Sequence, residues 1–284
     1  MEGTRQILLD QITTWVTNKS EQKDECNTYW IYGSPGIGKT SLAHSICASL
    51  HDREQLAGGF FCQNDDPKLN DPRNILPTLI YKLTKTFPPF RRIVADRLRK
   101  DENLTPESMK DSLLLDLVRS LRRHPKHPLV FVIDALDECG NTQSRPRVLK
   151  VLNDAATHAP WLKIIITSRP EEDIQRFFYA RTRASYSSYD LATDQEATAD
   201  LRMFAQSQFD LVATQWRLSM PWPEKSLFDG VISRADGLFI FIKTIALALD
   251  DCEDPTESLK ATSQNSAGAG LKSLYGLYSS ILKG

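Results

Sequence analysis

Residues 33–41 read Gly33-Ser34-Pro35-Gly36-Ile37-Gly38-Lys39-Thr40-Ser41, and this stretch decides the fold. It satisfies the pattern GxxxxGK[ST]. Its glycines let the backbone turn tightly enough to aim several N–H groups at one point. A helix starting there adds the partial positive charge of its N-terminus. The pattern needs a strand before it and a helix after it. Thr28–Tyr32 is a short strand candidate, and residues 39–50 carry helical spacing. All nine residues are therefore assigned to a phosphate cradle. Lys39 is expected to reach the β- and γ-phosphates, and the Thr40 hydroxyl to ligate Mg2+.

A cradle alone does not separate kinase, GTPase and ATPase. The run Leu129-Val130-Phe131-Val132-Ile133-Asp134 is apolar throughout and ends in an acid, as a strand buried on both faces reads. Asp134, at the carboxyl end of that strand, is the candidate second magnesium ligand, because parallel sheets hold their ligands at that edge. Asp137 and Glu138 follow closely. A carboxylate there can orient the attacking water, and Glu138 is favoured for that role with Asp137 in support. The plainer alternative is that both acids cap the next loop or helix. Residues 162–167 (LKIIIT) form another buried strand candidate, followed by Ser168-Arg169-Pro170. Arg169 is expected either to meet the γ-phosphate with its guanidinium or simply to begin an exposed turn.

Working outward, residues 4–18 place Ile7, Leu8, Ile12, Trp15 and Val16 on one helical face. Gly59–Cys62 is a strand candidate. Helices are expected over 74–86 and 90–100, separated by Pro88-Pro89, then from the Thr105-Pro106 cap through Arg123, and over 148–158. Strand signals fade from about Asp194, and residues 203–212, 224–234 and 238–250 carry helical spacing. The expected architecture is α/β: a parallel sheet flanked by helices over 1–190, with a lead-in helix, then a smaller all-helical subdomain over 191–284. Ser263–Gly270 is expected to be a flexible stretch.

Bulk composition excludes several classes. The 284 residues are 41% hydrophobic and 25% charged with net charge -1, an ordinary globular balance without a global pull toward nucleic acid or anionic membranes. The basic clusters at 91–100 and 119–126 lack interleaved aromatics and read as solvated faces, so no nucleic-acid partner is expected. Five scattered cysteines without a CxxC pair argue against a disulfide framework or zinc site and suit a reducing, cytoplasmic compartment. No secretory signal opens the chain. The apolar run at 237–249 is shorter than the roughly 20 residues of a spanning helix, so no membrane anchor is expected. That run (Phe239, Ile240, Phe241, Ile242, Ile245) reads as core.

With these motifs placed, the chain resembles the NACHT branch of the STAND signalling NTPases, and most closely the nephrocystin-3-like NACHT domains of fungal NOD-like receptor proteins. The resemblance is carried by Gly3-Thr4-Arg5 with its Trp15 helix, by residues 30–40, by Asp134-Ala135-Leu136-Asp137-Glu138-Cys139, by Ile166-Thr167-Ser168-Arg169-Pro170 and by Arg234-Ala235-Asp236-Gly237-Leu238-Phe239-Ile240. It implies slow Mg2+-dependent hydrolysis of ATP or GTP, with ATP as the default, in a molecular switch serving innate immunity or heterokaryon incompatibility. The diphosphate state would be closed; the triphosphate state would be open and able to self-associate. It also implies flanking effector and repeat domains in a longer protein, and it suggests that residues 3–5 lie near the base. A non-hydrolysing nucleotide-binding scaffold and a small-molecule kinase are the competing readings. The kinase class would not need Asp137-Glu138, and no arginine-rich lid sequence is present.

Overall fold

The apolar runs of 129–134 and 162–168 are buried along their whole length, as strands covered on both faces must be. The computed structural model describes residues 5–17, 26–100, 113–181, 186–194, 196–250, 252–264 and 270. Strands β1 (Thr28–Tyr32), β2 (Leu56–Phe61), β3 (Leu129–Asp134), β4 (Leu162–Ser168) and β5 (Ser187–Asp190) form one parallel sheet in the order β2-β3-β4-β1-β5. β4 thus lies between β1, which leads into the phosphate loop, and β3, which carries Asp134. Ile133 pairs with Ile166 and Tyr32 with Ser168, so the carboxyl ends of these strands finish side by side.

By contact, the chain divides into two units. The first comprises residues 7–33 and 39–190 and holds the sheet with helices α1 (Gln6–Thr17), α2 (Lys39–Asp52), α3 (Ile75–Thr86), α4 (Pro88–Lys100), α5 (Leu113–Arg119), α6 (Ser144–His158) and α7 (Glu172–Tyr179). α1 buries Leu8, Ile12 and Val16, which recur every four residues on one face. Its C-terminal end is tied down by buried Lys163, which donates to the Trp15 carbonyl and sits 4.6 Å from the Trp15 ring. In the core, Trp30 is fully buried, stacks on Phe178 at 4.6 Å and donates its indole N–H to Ser168 Oγ at 2.9 Å.

The second unit comprises residues 191–284 together with 1–6 and 34–38. Its helices are α8 (Ala197–Trp216), α9 (Lys225–Ala235), α10 (Phe239–Asp250) and α11 (Pro255–Gln264). Phe209, Val231, Phe241, Ile242 and Ile245 lie in its core, whereas Ile240 is only partly buried. Buried Arg5 donates to Asp194 Oδ2 at 2.6 Å and to the Ile37 carbonyl at 3.2 Å, while its backbone N–H donates to Asp200 Oδ2 at 2.8 Å. One arginine thus joins three separate stretches of this unit.

Several boundaries differ from expectation. α4 starts at Pro88, because proline is tolerated in a helix's first turn where its missing N–H would be unpaired anyway. α8 runs well beyond 203–212 in both directions. α7, α11 and β5 were not anticipated. α5 ends at Arg119, so Arg122 and Arg123 lie past the helix, exposed like Arg91, Arg92, Arg97, Arg99 and Lys100. The Thr105-Pro106 cap, Gly3-Thr4 and most of 263–270 fall outside the described residues. Every cysteine is a free thiol. Among the described residues no helix is long and apolar enough to cross a membrane.

Full burial of Trp30 between its hydrogen bond and its ring contacts generates a stability prediction. Trp30→Ala is expected to lower the unfolding free energy by about 3–5 kcal/mol in urea denaturation. A loss below about 1 kcal/mol would show that the sheet does not depend on this side chain.

Candidate functional site

The carboxyl ends of β1, β3 and β4 gather most of the residues singled out above. β1 ends at Tyr32, and the chain turns through the glycine-rich loop into α2, whose first residues are Lys39 and Thr40. Gly36 and Gly38 have φ of 77° and 95°, a left-handed backbone that glycine adopts without steric penalty. Within the first unit, Lys39 is buried and its Nζ donates to the Gly33 carbonyl at 2.7 Å. Burial pushes its pKa down, while Asp137, Asp134 and Glu138 act in the opposite direction and Arg169 reinforces the fall. The ammonium thus stands in the field of all three acids.

Asp134 closes β3 and is 1% exposed. Burial raises its pKa, and hydrogen bonds from the Thr167 and Thr40 hydroxyls oppose that rise. Thr167 Oγ1 donates to Asp134 Oδ1 at 2.5 Å and accepts the Ala135 N–H at 2.9 Å. Thr167 therefore orients the acid from the neighbouring strand. Ala135 has φ 52°, a left-handed conformation that favours a small residue directly after the acid.

A single 3-10 turn, Leu136–Glu138, presents the other two acids. Asp137 is 5% exposed and already engaged: its Oδ1 accepts the Arg169 N–H at 2.9 Å, and Arg169 Nε lies 3.2 Å from its Oδ2. Arg169, 43% exposed, thus spends its guanidinium on Asp137. Among the described residues the Glu138 carboxylate has no side-chain hydrogen bond or salt bridge. Beside this turn the neighbouring Cys139 thiol and burial push the Cys62 pKa up.

Ser34–Gly38 group with the second unit. There Ile240 N–H donates to the Gly36 carbonyl at 3.2 Å. A Cβ at Gly36 would stand 2.2 Å from Ile240 Cγ2. From the sequence Ile240 reads as core and as the end of the 234–240 motif. Thr167 has no role there beyond its place in a motif, although a hydroxyl at the end of an apolar strand is a signal.

The donor set fits a magnesium-bound polyphosphate. A primary ammonium, a hydroxyl and a carboxylate that touch or face one another at a parallel sheet's carboxyl edge are hard oxygen ligands and a phosphate-seeking cation. Lys39, Thr40 and Asp134 would hold it.

The model of the family described as Nephrocystin 3, N-terminal, matches residues 3–169. Among curated proteins none matches the chain. Among solved structures it is similar to the Walker-type ATPase PABY2304 of Pyrococcus abyssi, at 16% identity over 98% of this chain and 74% of that one, with TM-score 0.49. It is also similar to C. elegans PCH-2 (12% identity, 98% and 68% covered, TM-score 0.46) and to Drosophila ORC bound to DNA (14%, 99% and 68%, TM-score 0.45). At such identities a shared fold says nothing of shared chemistry.

The Gly36 environment yields a direct test. Gly36→Ala is expected to weaken ATP binding at least about tenfold in calorimetric titration, since both the positive φ and the Ile240 contact oppose a methyl group. Adding Ile240→Ala relieves only the contact and should restore binding in part. Unchanged affinity in the single variant would contradict this account of the loop.

Proposed function

The chain belongs to the nephrocystin 3 N-terminal family, and we propose that it binds a nucleoside triphosphate with Mg2+ and hydrolyses it slowly as a signalling switch of the STAND type. One observation carries the proposal: the buried Asp134 carboxylate at the end of β3 interacts with both the Thr40 hydroxyl and the Lys39 ammonium at the start of α2. Two hard ligands and the phosphate-seeking ammonium are brought to one point by two different strands.

Each side chain then has a task in proportion to its surroundings. Lys39 exchanges the Gly33 carbonyl for phosphate oxygens, an exchange favoured because both partners become charged. Asp134 and Thr40 would hold the magnesium ion. When bound, the ion would neutralise charge on the phosphate oxygens. Asp137 is engaged by Arg169, which leaves Glu138 as the carboxylate able to accept a hydrogen bond from the attacking water and aim its lone pair at the γ-phosphorus. Attack forms the new P–O bond as the bond from the γ-phosphorus to the bridging oxygen breaks, releasing nucleoside diphosphate and phosphate, while the Glu138 carboxylate takes the proton of the attacking water. Arg169 stands beside the same acids and supplies positive charge near the transferring group.

As a switch, the protein would read the γ-phosphate through these groups and change the arrangement of the phosphate loop and the helical segment. Self-association in the triphosphate state, flanking effector and repeat domains, a cytoplasmic setting and a place in fungal NOD-like receptor defence follow from the resemblance to NACHT proteins and belong to the same proposal. ATP is the favoured nucleotide.

Two variants test it. Lys39→Ala should abolish nucleotide binding. Glu138→Gln should retain bound triphosphate while lowering phosphate release by at least about a hundredfold, as loss of a general base does. Wild-type turnover no faster than Glu138→Gln would instead favour a nucleotide-binding scaffold, and phosphate found on an acceptor other than water would favour a kinase.

A further inference from the structure

The turn after Asp134 is held at one residue from two sides. Arg169 engages the Asp137 carboxylate, as described. From the main-chain side, Arg145 Nη1 donates to the Asp137 carbonyl oxygen at 2.8 Å. Arg145 lies in the first turn of α6 and is itself fixed in a fork, with Nε and Nη2 donating to Oδ2 and Oδ1 of Asp173 at 2.8 and 3.0 Å. Both side chains are 9% exposed. Asp173 stands in the first turn of α7, just after the β4 strand that supplies Thr167.

The carbonyl that Arg145 grips belongs to the peptide joining Asp137 to Glu138. The N–H of that same peptide donates to the Ala135 carbonyl at 2.8 Å. One peptide plane is thus pinned at both its polar atoms, and its orientation sets the direction in which the Glu138 side chain leaves the backbone. A buried ion pair contributes little net stability once desolvation is counted, so what this one supplies is direction. Three acceptors shared among Nε, Nη1 and Nη2 suit the fixed fork of a guanidinium better than the compact point charge of an ammonium.

We propose that Arg145, anchored on Asp173, is a positioning residue for hydrolysis: it fixes the Asp137–Glu138 peptide and thereby the place from which the Glu138 carboxylate meets water. The proposal rests on the hydrolytic reading above.

The test uses Arg145→Lys, Asp173→Asn and the double variant, with magnesium ATP as substrate and hydrogen exchange on nucleotide-free protein as a second readout. Each single variant should lower kcat by about 10- to 100-fold with KM within about threefold of wild type, because a misplaced group costs rate rather than ground-state binding. The double variant should be no slower than the slower single one, as expected for partners in one network. The amides of Glu138, Cys139 and Gly140 should exchange faster in all three. A kcat within about twofold of wild type, a loss confined to KM, or losses that multiply would each overturn the proposal. If neither single variant folds, the pair serves global stability and the proposal likewise fails. Wild-type turnover no faster than Glu138→Gln would sink the hydrolytic reading instead. The exchange of residues 138–140 then decides alone whether the strut exists, and unchanged rates would refute it.

Discussion

A carboxylate almost wholly withdrawn from water is costly to keep ionised, and Asp134 is in that position at 1% exposure. Two hydroxyls make it tenable: Thr167 from β4 hydrogen-bonds it, and Thr40 at the start of α2 also favours its charged form. These contacts exist because β4 runs between β1 and β3, so that an acid at the end of one strand, a hydroxyl on the next and a loop leaving the third meet at a single edge. A sheet with another order would leave Asp134 buried without those partners, and its charge would be lost to protonation. Lys39 and Thr40, the turn bearing Asp137 and Glu138, and Arg169 all take their positions from this arrangement.

Around that carboxylate the charged residues divide into those already matched and those left to act. Asp137 is matched twice, by Arg169 at its carboxylate and by Arg145 at its carbonyl. Arg145 is matched by Asp173. Lys39 donates to the Gly33 carbonyl, and Glu138 follows a peptide pinned through its own N–H. Rigid, satisfied pairs around the site are what it needs if it is to bind a polyanion without first reorganising. Arg5 does comparable work in the helical unit, where its two buried acids and the Ile37 carbonyl fix the lead-in residue to the middle of the loop.

Much of this was legible in the sequence because the signals are local. The loop at 33–41 is a contiguous motif, β3 is an unbroken apolar run ending in Asp134, and β4 carries Ile164-Ile165-Ile166 before Thr167-Ser168. What stayed hidden either lacks hydrophobic contrast or depends on distant partners. β5 is only Ser187–Asp190, polar and at the sheet edge, so no apolar alternation marks it. α7 begins two residues after Pro170 and is short, which made the segment look like a turn. Arg145 and Asp173 lie 28 residues apart, and nothing in either neighbourhood foretells that they pair. For Arg169 the sequence left a γ-phosphate contact or an exposed turn, and nothing local announces that its guanidinium bonds an acid of the same site. Strand order, which decides that Thr167 meets Asp134, is a property of the whole sheet.

The account stands on Asp134 and Lys39 serving one metal-bound polyphosphate. The measurement that tests this most directly is the magnesium dependence of ATP affinity, by calorimetric titration of the wild type and of the near-isosteric Asp134→Asn. Magnesium should tighten wild-type binding at least about tenfold and should do little for Asp134→Asn, whose magnesium-free affinity should stay close to that of the wild type. An equal magnesium enhancement in both proteins would contradict the account, because the ion would then be held somewhere other than at the end of β3.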